Sequence, residues 1–345
     1  MKHDKPAYYY LSKYRSELMG LAILWVVFFH SQIPTDLLPL SKINTAVSFV
    51  KGIGYGGVDI FMLVSGMGLY NSLMKNNPAD FIKHRIKRIA PTWWLYLIIC
   101  IVLGALFFEI HYTFSEALGF ATFTGYWLDM KNQGNWYIYA IMFFYLISPV
   151  LYSLLKESKN RTKTLVILML ITLVISFVFF ENKKLMAFSR LPIFIMGMYL
   201  SANCKELEND GKRWALSALA LVVGTTALGI VYFRYHSLLT PYGLWWYPYI
   251  LIAPSLSLFT CKAMDVLQKY IKPLTWALAW TGKASLEILL VSDYMFSRFK
   301  KADWVIISKG FTPFAVVIIS ILGGILFRII LDFFINKFEK KKVRN

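Results

Sequence analysis

Ten apolar stretches, separated by short polar segments, follow one another along the chain. Most of them approach the roughly 20 residues that an α-helix needs to cross a bilayer, so each predicts a membrane-spanning helix. The predicted spans cover residues 17–33, 53–73, 91–110, 135–155, 164–180, 190–204, 214–233, 245–261, 274–297 and 311–334. The stretch 115–128 is broken by Thr, Gly and Glu and predicts a re-entrant or interfacial element. The pattern therefore predicts an all-α integral membrane protein with about ten transmembrane helices.

The composition agrees with this prediction. Hydrophobic residues make up 57% of the 345 residues and charged residues only 16%, whereas a soluble domain carries roughly 25% charged residues. Such a high apolar content also excludes a disordered chain. Cys100, Cys204 and Cys261 lack any metal-ligand spacing and are interpreted as small apolar residues, so neither a disulfide framework nor a metal site is predicted.

The basic residues give the predicted orientation. Lys and Arg number 37 against 19 Asp and Glu, a net charge of +18. Of the 37, 24 fall in the N-terminal segment, in every second loop and in the C-terminal tail, and 11 in the other loops. By the positive-inside rule both termini are predicted to be cytoplasmic, and the excess charge needs no nucleic acid to explain it. The loops are too short for a separate domain, so 1–345 is predicted to be one bundle, with an N-terminal segment 1–14 and a basic tail 335–345.

Two ionisable residues near the predicted outer face are candidates for catalysis. His30 ends the first span and Asp59 begins the second. Because these spans run in opposite directions, the two residues are expected at similar depth, where a carboxylate could orient the imidazole of a general base. The alternatives are that His30 is an interfacial residue and that Asp59 caps its own helix.

A basic cluster before Pro91 on the predicted cytoplasmic side is a candidate phosphate-binding site. Its members are Lys83, Arg85, Lys87 and Arg88. Arg85 and Arg88 are three residues apart, which places both guanidinium groups on one helix face, where they could bind phosphate bidentately. The alternative is an anchor to anionic membrane lipid.

Arg15 lies fifteen residues before His30, about 22 Å lower along the same helix. A cation at this depth would mark a polar path through the bundle; the alternative is an arginine at the membrane interface.

Aromatic residues concentrate in two predicted outer loops, 125–137 and 232–249. Their indole and phenol rings could bind a sugar, or they could form the aromatic belt that is common at membrane interfaces. The candidate substrate-binding residues are Trp136, Tyr137, Trp245 and Trp246. In the ninth span, Lys283 and Glu287 are one turn apart and could pair with each other.

Three segments together resemble acyltransferase family 3, the bacterial integral-membrane O-acyltransferases that act on surface glycans. They are RSELMGLAILWVVFFH (15–30), GYGGVDIFMLVSGMGLY (54–70) and FIKHRIKRIAPTWW (81–94), with weaker similarity at 134–149, 190–200 and 281–290. The resemblance implies transfer of an acyl group, most simply acetyl, from cytoplasmic acyl-CoA to a sugar hydroxyl outside a bacterial cell membrane. It implies acyl-CoA as donor co-substrate rather than a bound cofactor, and a glycan and membrane lipid as partners.

Two positions depart from the family pattern. Met19 stands where the family has an arginine, and Arg15, one turn lower, is the candidate to replace it. The family also often has an acidic residue after the tryptophan of the fourth span, whereas this chain reads WYIYAI from Trp136 to Ile141. The alternative functions are a polysaccharide transporter or flippase without acyl-transfer chemistry, and a structural partner of glycan enzymes.

Overall fold

The computed structural model describes residues 7–36, 41–131, 135–203, 211–299 and 312–344, so Cys204 and residues 132–134 lie outside the described part. Apart from one 3₁₀ turn at His236–Leu238, the regular structure of the described residues is α-helical, as predicted. The helices are α1 (Ala7–Lys13), α2 (Arg15–His30), α3 (Ser41–Gly52), α4 (Gly56–Leu73), α5 (Pro78–Phe107), α6 (Phe114–Ala121), α7 (Trp136–Glu157), α8 (Arg161–Val178), α9 (Leu185–Phe188), α10 (Leu191–Ala202), α11 (Gly211–Arg234), α12 (Tyr249–Tyr270), α13 (Lys272–Lys283), α14 (Ser285–Phe299) and α15 (Thr312–Arg344).

Seven helical segments of the described chain are long and apolar enough to cross a membrane, or eight if the pair α3 and α4, bent by 44°, forms one span. They are α5, α7, α8, α9 with α10, α11, α12 and Thr312–Lys337 of α15. Two of the ten predicted spans do not meet this length: α2 has 16 residues, and the ninth span is divided between α13 and α14. The number ten and the orientation of the termini therefore stay predictions.

The outward faces of the long helices are apolar. Val174, Phe177 and Val178 of α8 are each more than 60% exposed, and Leu216 and Leu219 of α11 are exposed to a similar extent. Exposed apolar faces on helices of this length are typical of lipid-facing surfaces. The fold is that of a multi-pass membrane protein.

The chain divides into two compact units. The first contains Met1–Arg15, Asp59–Arg88 and Tyr112–Lys272, and the second contains Ser16–Val58, Ile89–His111 and Pro273–Asn345. The helices α4 and α5 contribute to both units. The predicted basic tail 335–345 continues α15 as far as Arg344 rather than beginning a separate segment.

In the first unit, α4 and α10 approach so closely that only glycine fits at the crossing. A methyl group on Gly66 would overlap the carbonyl of Phe194, and one on Gly197 would overlap the carbonyl of Leu63. Small residues at such crossings allow the backbones of membrane helices to touch.

The short helix α1 is fastened to α12 within the same unit. The buried Tyr14 hydroxyl lies 2.7 Å from oxygens of both Asp265 and Gln268, and Lys13 Nζ donates to Asp265 over 3.0 Å. The hydrogen bond with Tyr14, together with the Asp265 carboxylate, raises the pKa of Lys13 against the opposing effect of desolvation. Because Arg15 follows Tyr14 directly, this contact also fixes where α2 begins.

In the second unit, α14 packs on α15 through Gly324, where a methyl group would lie 2.5 Å from the Ile288 Cα. Beside this crossing the buried Glu287 accepts a hydrogen bond from Thr92 Oγ1 over 3.2 Å and pairs with Arg328 Nη1 at 3.4 Å. The predicted pair of Glu287 with Lys283 is therefore wrong. The helix breaks at Ala284, so Lys283 ends α13 while Glu287 belongs to α14.

Candidate functional site

The guanidinium group of Arg85 is held near the beginning of α5. Asn77 caps this helix, since its Oδ1 accepts from the backbone N–H of Asp80 over 2.9 Å. One turn later Phe81 is fully buried, and Arg85, a further turn along, lies over its ring with 5.2 Å from Cζ to the centroid. The ring of Tyr145 on α7 stands 6.0 Å from the same Cζ. Arg85 is half-buried between two aromatic rings.

Arg85 and Arg88 form no ion pair with a carboxylate among the described residues, and they are close enough to repel each other. The buried Nε of Arg85 donates no hydrogen bond within that part of the chain. Such an uncompensated pair of guanidinium groups is an anion-binding arrangement. Lys83 and Lys87 stand two residues either side of Arg85 and therefore lie on the opposite helix face from it; both are exposed, as is Arg88. The structure therefore brings together the two arginines but not the two lysines.

Arg15 belongs to the same region of the first unit. Its guanidinium lies against Gly68 of α4, so closely that a methyl group on Gly68 would be 3.2 Å from Arg15 Nη2. Arg15 and Arg88 are both within electrostatic range of the Tyr137 hydroxyl, which also lies within hydrogen-bonding range of Ser65. One arginine of α2 and one of α5 thus lie near the same tyrosine of α7.

Asp59 lies in the first turn of α4, three residues after the helix begins at Gly56, so it is not the helix cap. It is fully buried, and its Oδ1 lies 3.7 Å from Nε of Arg190, which is 2% exposed. Neither carboxylate oxygen accepts a hydrogen bond from any described residue. The described charged partner of Asp59 is therefore Arg190, and the pairing of Asp59 with His30 stays a prediction.

Two tryptophans hold Arg190. Its Cζ lies 4.8 Å from the ring centroid of Trp136 and 4.8 Å from that of Trp246, and its Nη1 donates to the Met186 carbonyl over 2.7 Å. The two indole rings thus each use a face to bind the arginine. Trp136 and Trp246, predicted to bind a sugar, contact the arginine that pairs with Asp59.

The remaining predicted residues lie elsewhere in their units. Trp245 packs edge-on against Tyr232 and His236, with centroids 5.5 and 5.8 Å away. His30 is the last residue of α2 in the second unit; it is exposed, and its ring makes an edge contact with Phe29 at 4.8 Å. A histidine at a helix C-terminus is favourably placed for the positive charge that a general base acquires.

Neighbouring residues at the start of α7 join the two clusters of the first unit. Asn135 caps α7, accepting from the backbone N–H of Tyr137 over 3.0 Å. The Tyr137 side chain lies near Arg15 and Arg88, and its ring centroid is 6.2 Å from the ring centroid of Phe61 on α4. The ring of Trp136 contacts the guanidinium group of Arg190 instead. Two adjacent residues of α7, Trp136 and Tyr137, therefore lie next to the Asp59–Arg190 pair and the anion-binding cluster respectively.

The sequence pattern did not indicate Arg190 or Tyr145 as candidate site residues. Arg190 is the first residue of the predicted span 190–204 and stands directly before the apolar segment of α10. Its signal was an arginine adjoining Leu-Pro at the head of a span, where a charge is costly unless it is paired. Tyr145 gave no signal, because an aromatic residue in an apolar span is ordinary.

Comparison with known proteins agrees with the membrane architecture. The regulator of hypoxia-inducible factor 1 from Caenorhabditis elegans is 24% identical over 176 residues, which are 43% of this chain and 35% of that protein. The chain thus spans about a third of the length of this relative. No solved structure matches. A family model described as an acyltransferase domain matches residues 18–333, nearly the whole chain, and the protein belongs to this acyltransferase family.

Proposed function

We propose that this protein moves an acyl group, most simply acetyl, from cytoplasmic acyl-CoA to a hydroxyl of a sugar or polysaccharide outside a bacterial cytoplasmic membrane. The observation that carries the proposal is the uncompensated pair Arg85 and Arg88, which Arg15 joins around Tyr137. Membership of the acyltransferase family supplies the reaction class.

The arginine cluster suits the donor. Coenzyme A carries several phosphate oxygens at one end and a thioester at the end of a thin arm. Guanidinium groups bind phosphate through paired hydrogen bonds, and Arg85 has a buried N–H available for one. Lys83 and Lys87, on the exposed face, are better suited to lipid headgroups.

His30 is proposed as the general base. It takes the proton of the acceptor hydroxyl as that oxygen attacks the thioester carbonyl. The C–S bond then breaks, and the proton passes to the departing thiolate, which regenerates neutral imidazole. Asp59 is proposed to stabilise the imidazolium, and its unsatisfied carboxylate oxygens support such a role. The aromatic residues near it, Trp136 and Trp246, are the proposed apolar wall for the sugar.

The test compares two double variants of equal charge in purified protein. Arg85→Ala with Arg88→Ala is expected to weaken acetyl-CoA binding by at least about tenfold, because two charge-assisted contacts are lost. The matched control, Lys83→Ala with Lys87→Ala, removes the same charge from the other face of α5 and is expected to leave binding nearly unchanged. If the two variants weaken acetyl-CoA binding equally, the arginine pair has no specific role in donor binding and is better explained as an anchor to membrane lipid.

Transfer to a sugar acceptor is measured in parallel with labelled acetyl-CoA. His30→Ala is expected to abolish transfer while leaving acetyl-CoA binding intact. Wild-type transfer by this variant would refute the base assignment. A protein that moves glycan across vesicles but never transfers the label would instead be a transporter.

A further inference from the structure

In the interior of the first unit, Asp59 and Arg190 are a closely paired acid and base. Both are nearly inaccessible, with 0% and 2% of their surfaces exposed. A carboxylate at this burial is unfavourable unless a positive charge lies next to it, and without one it takes up a proton. The charge of Asp59 therefore depends on what holds Arg190 in place.

Arg190 is fixed from three sides. The two indole rings of Trp136 and Trp246 lie at equal distances of 4.8 Å from Cζ. The Met186 carbonyl accepts from Nη1 over 2.7 Å. With Nη1 engaged by the backbone and the rings on either side, the Nε edge of the guanidinium is the one directed at Asp59.

The contact between the two charges is electrostatic rather than a hydrogen bond. The distance of 3.7 Å from Nε to Oδ1 is too long for a hydrogen bond, and both carboxylate oxygens keep their acceptor positions. A carboxylate beside a positive charge that does not occupy its lone pairs keeps both oxygens able to accept a hydrogen bond.

We propose that Arg190 is a positioning residue which, clamped between Trp136 and Trp246, keeps Asp59 ionised inside the membrane and leaves its oxygens available to a donor. This role rests on the proposed function, in which the Asp59 anion stabilises an imidazolium. It also gives the two tryptophans a role that differs from binding sugar: they hold the arginine.

The test reads the protonation of Asp59 directly by infrared spectroscopy of the full chain in detergent. Arg190→Met removes the charge and keeps most of the volume. We expect this variant to show a carboxylic acid carbonyl band that wild type lacks and that disappears when Asp59→Asn is added. Arg190→Lys restores a charge and is expected to show no such band. Arg161→Met is the matched control, because Arg161 is a half-buried arginine of the same unit bound to the Ala202 carbonyl and Asn203.

The absence of the band in a folded Arg190→Met variant would overturn the proposal. If the Arg190→Met variant fails to accumulate, the double variant Arg190→Met with Asp59→Asn provides the test. Both residues are then neutral, so no unpaired charge is buried. Restored accumulation supports the proposal, and failure to restore it overturns it.

Acetyl transfer separates this proposal from the proposed function. If Arg190 acts through Asp59, adding Arg190→Met to an Asp59→Asn protein changes the transfer rate by less than about twofold. If the two residues act independently, the losses in transfer rate caused by the two substitutions multiply. A protein that shows the expected infrared bands but transfers no acetyl group would retain the Arg190 assignment and lose the proposed function.

Discussion

At the scale of single residues, the site depends on where each cation can place its head group. Arg85 and Lys83 are two residues apart on the same helix, yet one is held between aromatic rings and the other is exposed. The sequence indicated the i, i+3 relation of Arg85 and Arg88 because helical periodicity alone determines it. It could not distinguish the arginines from the lysines, since that distinction requires knowing which face of α5 meets α7.

Gly68 offers a residue-scale test of the role of Arg15. Replacing Gly68 with Ala places a methyl group 3.2 Å from Arg15 Nη2, so the guanidinium must shift by a few tenths of an ångström. We expect the KM for acetyl-CoA to rise by about threefold to tenfold, because a charge-assisted contact depends on this geometry.

The matched control is Gly229→Ala in α11, where the added methyl group meets nothing within 4 Å. This variant is expected to keep the wild-type KM. An unchanged KM in the Gly68→Ala protein would show that Arg15 takes no part in donor binding.

At the scale of helices, the apolar stretches were sufficient to predict that each segment is helical, because a backbone in hydrocarbon must satisfy its own hydrogen bonds. The breaks were harder to predict. The bend of 44° between α3 and α4 lies in a glycine-rich stretch, and the division of the ninth span at Ala284 lies next to Lys283, inside a segment that is apolar enough on average to be predicted as one span. Packing against neighbours, rather than hydropathy, determines where such helices stop.

The crossing of α14 and α15 gives an element-scale prediction from two adjacent glycines. In Gly324→Ala the new Cβ lies 2.5 Å from the Ile288 Cα, a backbone atom that cannot rotate away. We expect the thermal unfolding temperature in detergent to fall, with a loss of about 1–3 kcal/mol in the free energy of unfolding.

Gly323→Ala is the control, since its methyl group meets Val291 Cγ1 at an ordinary 3.4 Å. This variant is expected to match or slightly exceed wild-type stability, because alanine favours the helix. Equal stability of the two variants would contradict the close packing of α14 on α15.

At the scale of the whole molecule, the number of spans determines the relation between the two ends of the chain. Seven crossings place the termini on opposite sides of a membrane, whereas eight or ten place them on the same side. The distribution of Lys and Arg favours the same side, the cytoplasm.

Reporter fusions test this orientation. A reporter active only in the cytoplasm is expected to work when fused near either end of the chain and to fail in the 180–184 loop, which is predicted to face outward. Activity at one end alone would favour seven crossings, which requires that α2, the α3–α4 pair and the α13–α14 pair all fail to cross.

The sequence by itself determined that this is a helical membrane protein, that Asp59 and Glu287 are acidic residues within predicted spans, and that two arginines share a helix face. These properties follow from the chemistry of each residue and from the helical repeat, which are local. Only the tertiary structure decided that Asp59 meets Arg190, that two tryptophans hold this arginine, and that Glu287 pairs with Arg328 rather than Lys283. A buried charge requires a partner, but the chain can supply that partner from any helix, and only the packing of helices selects which one.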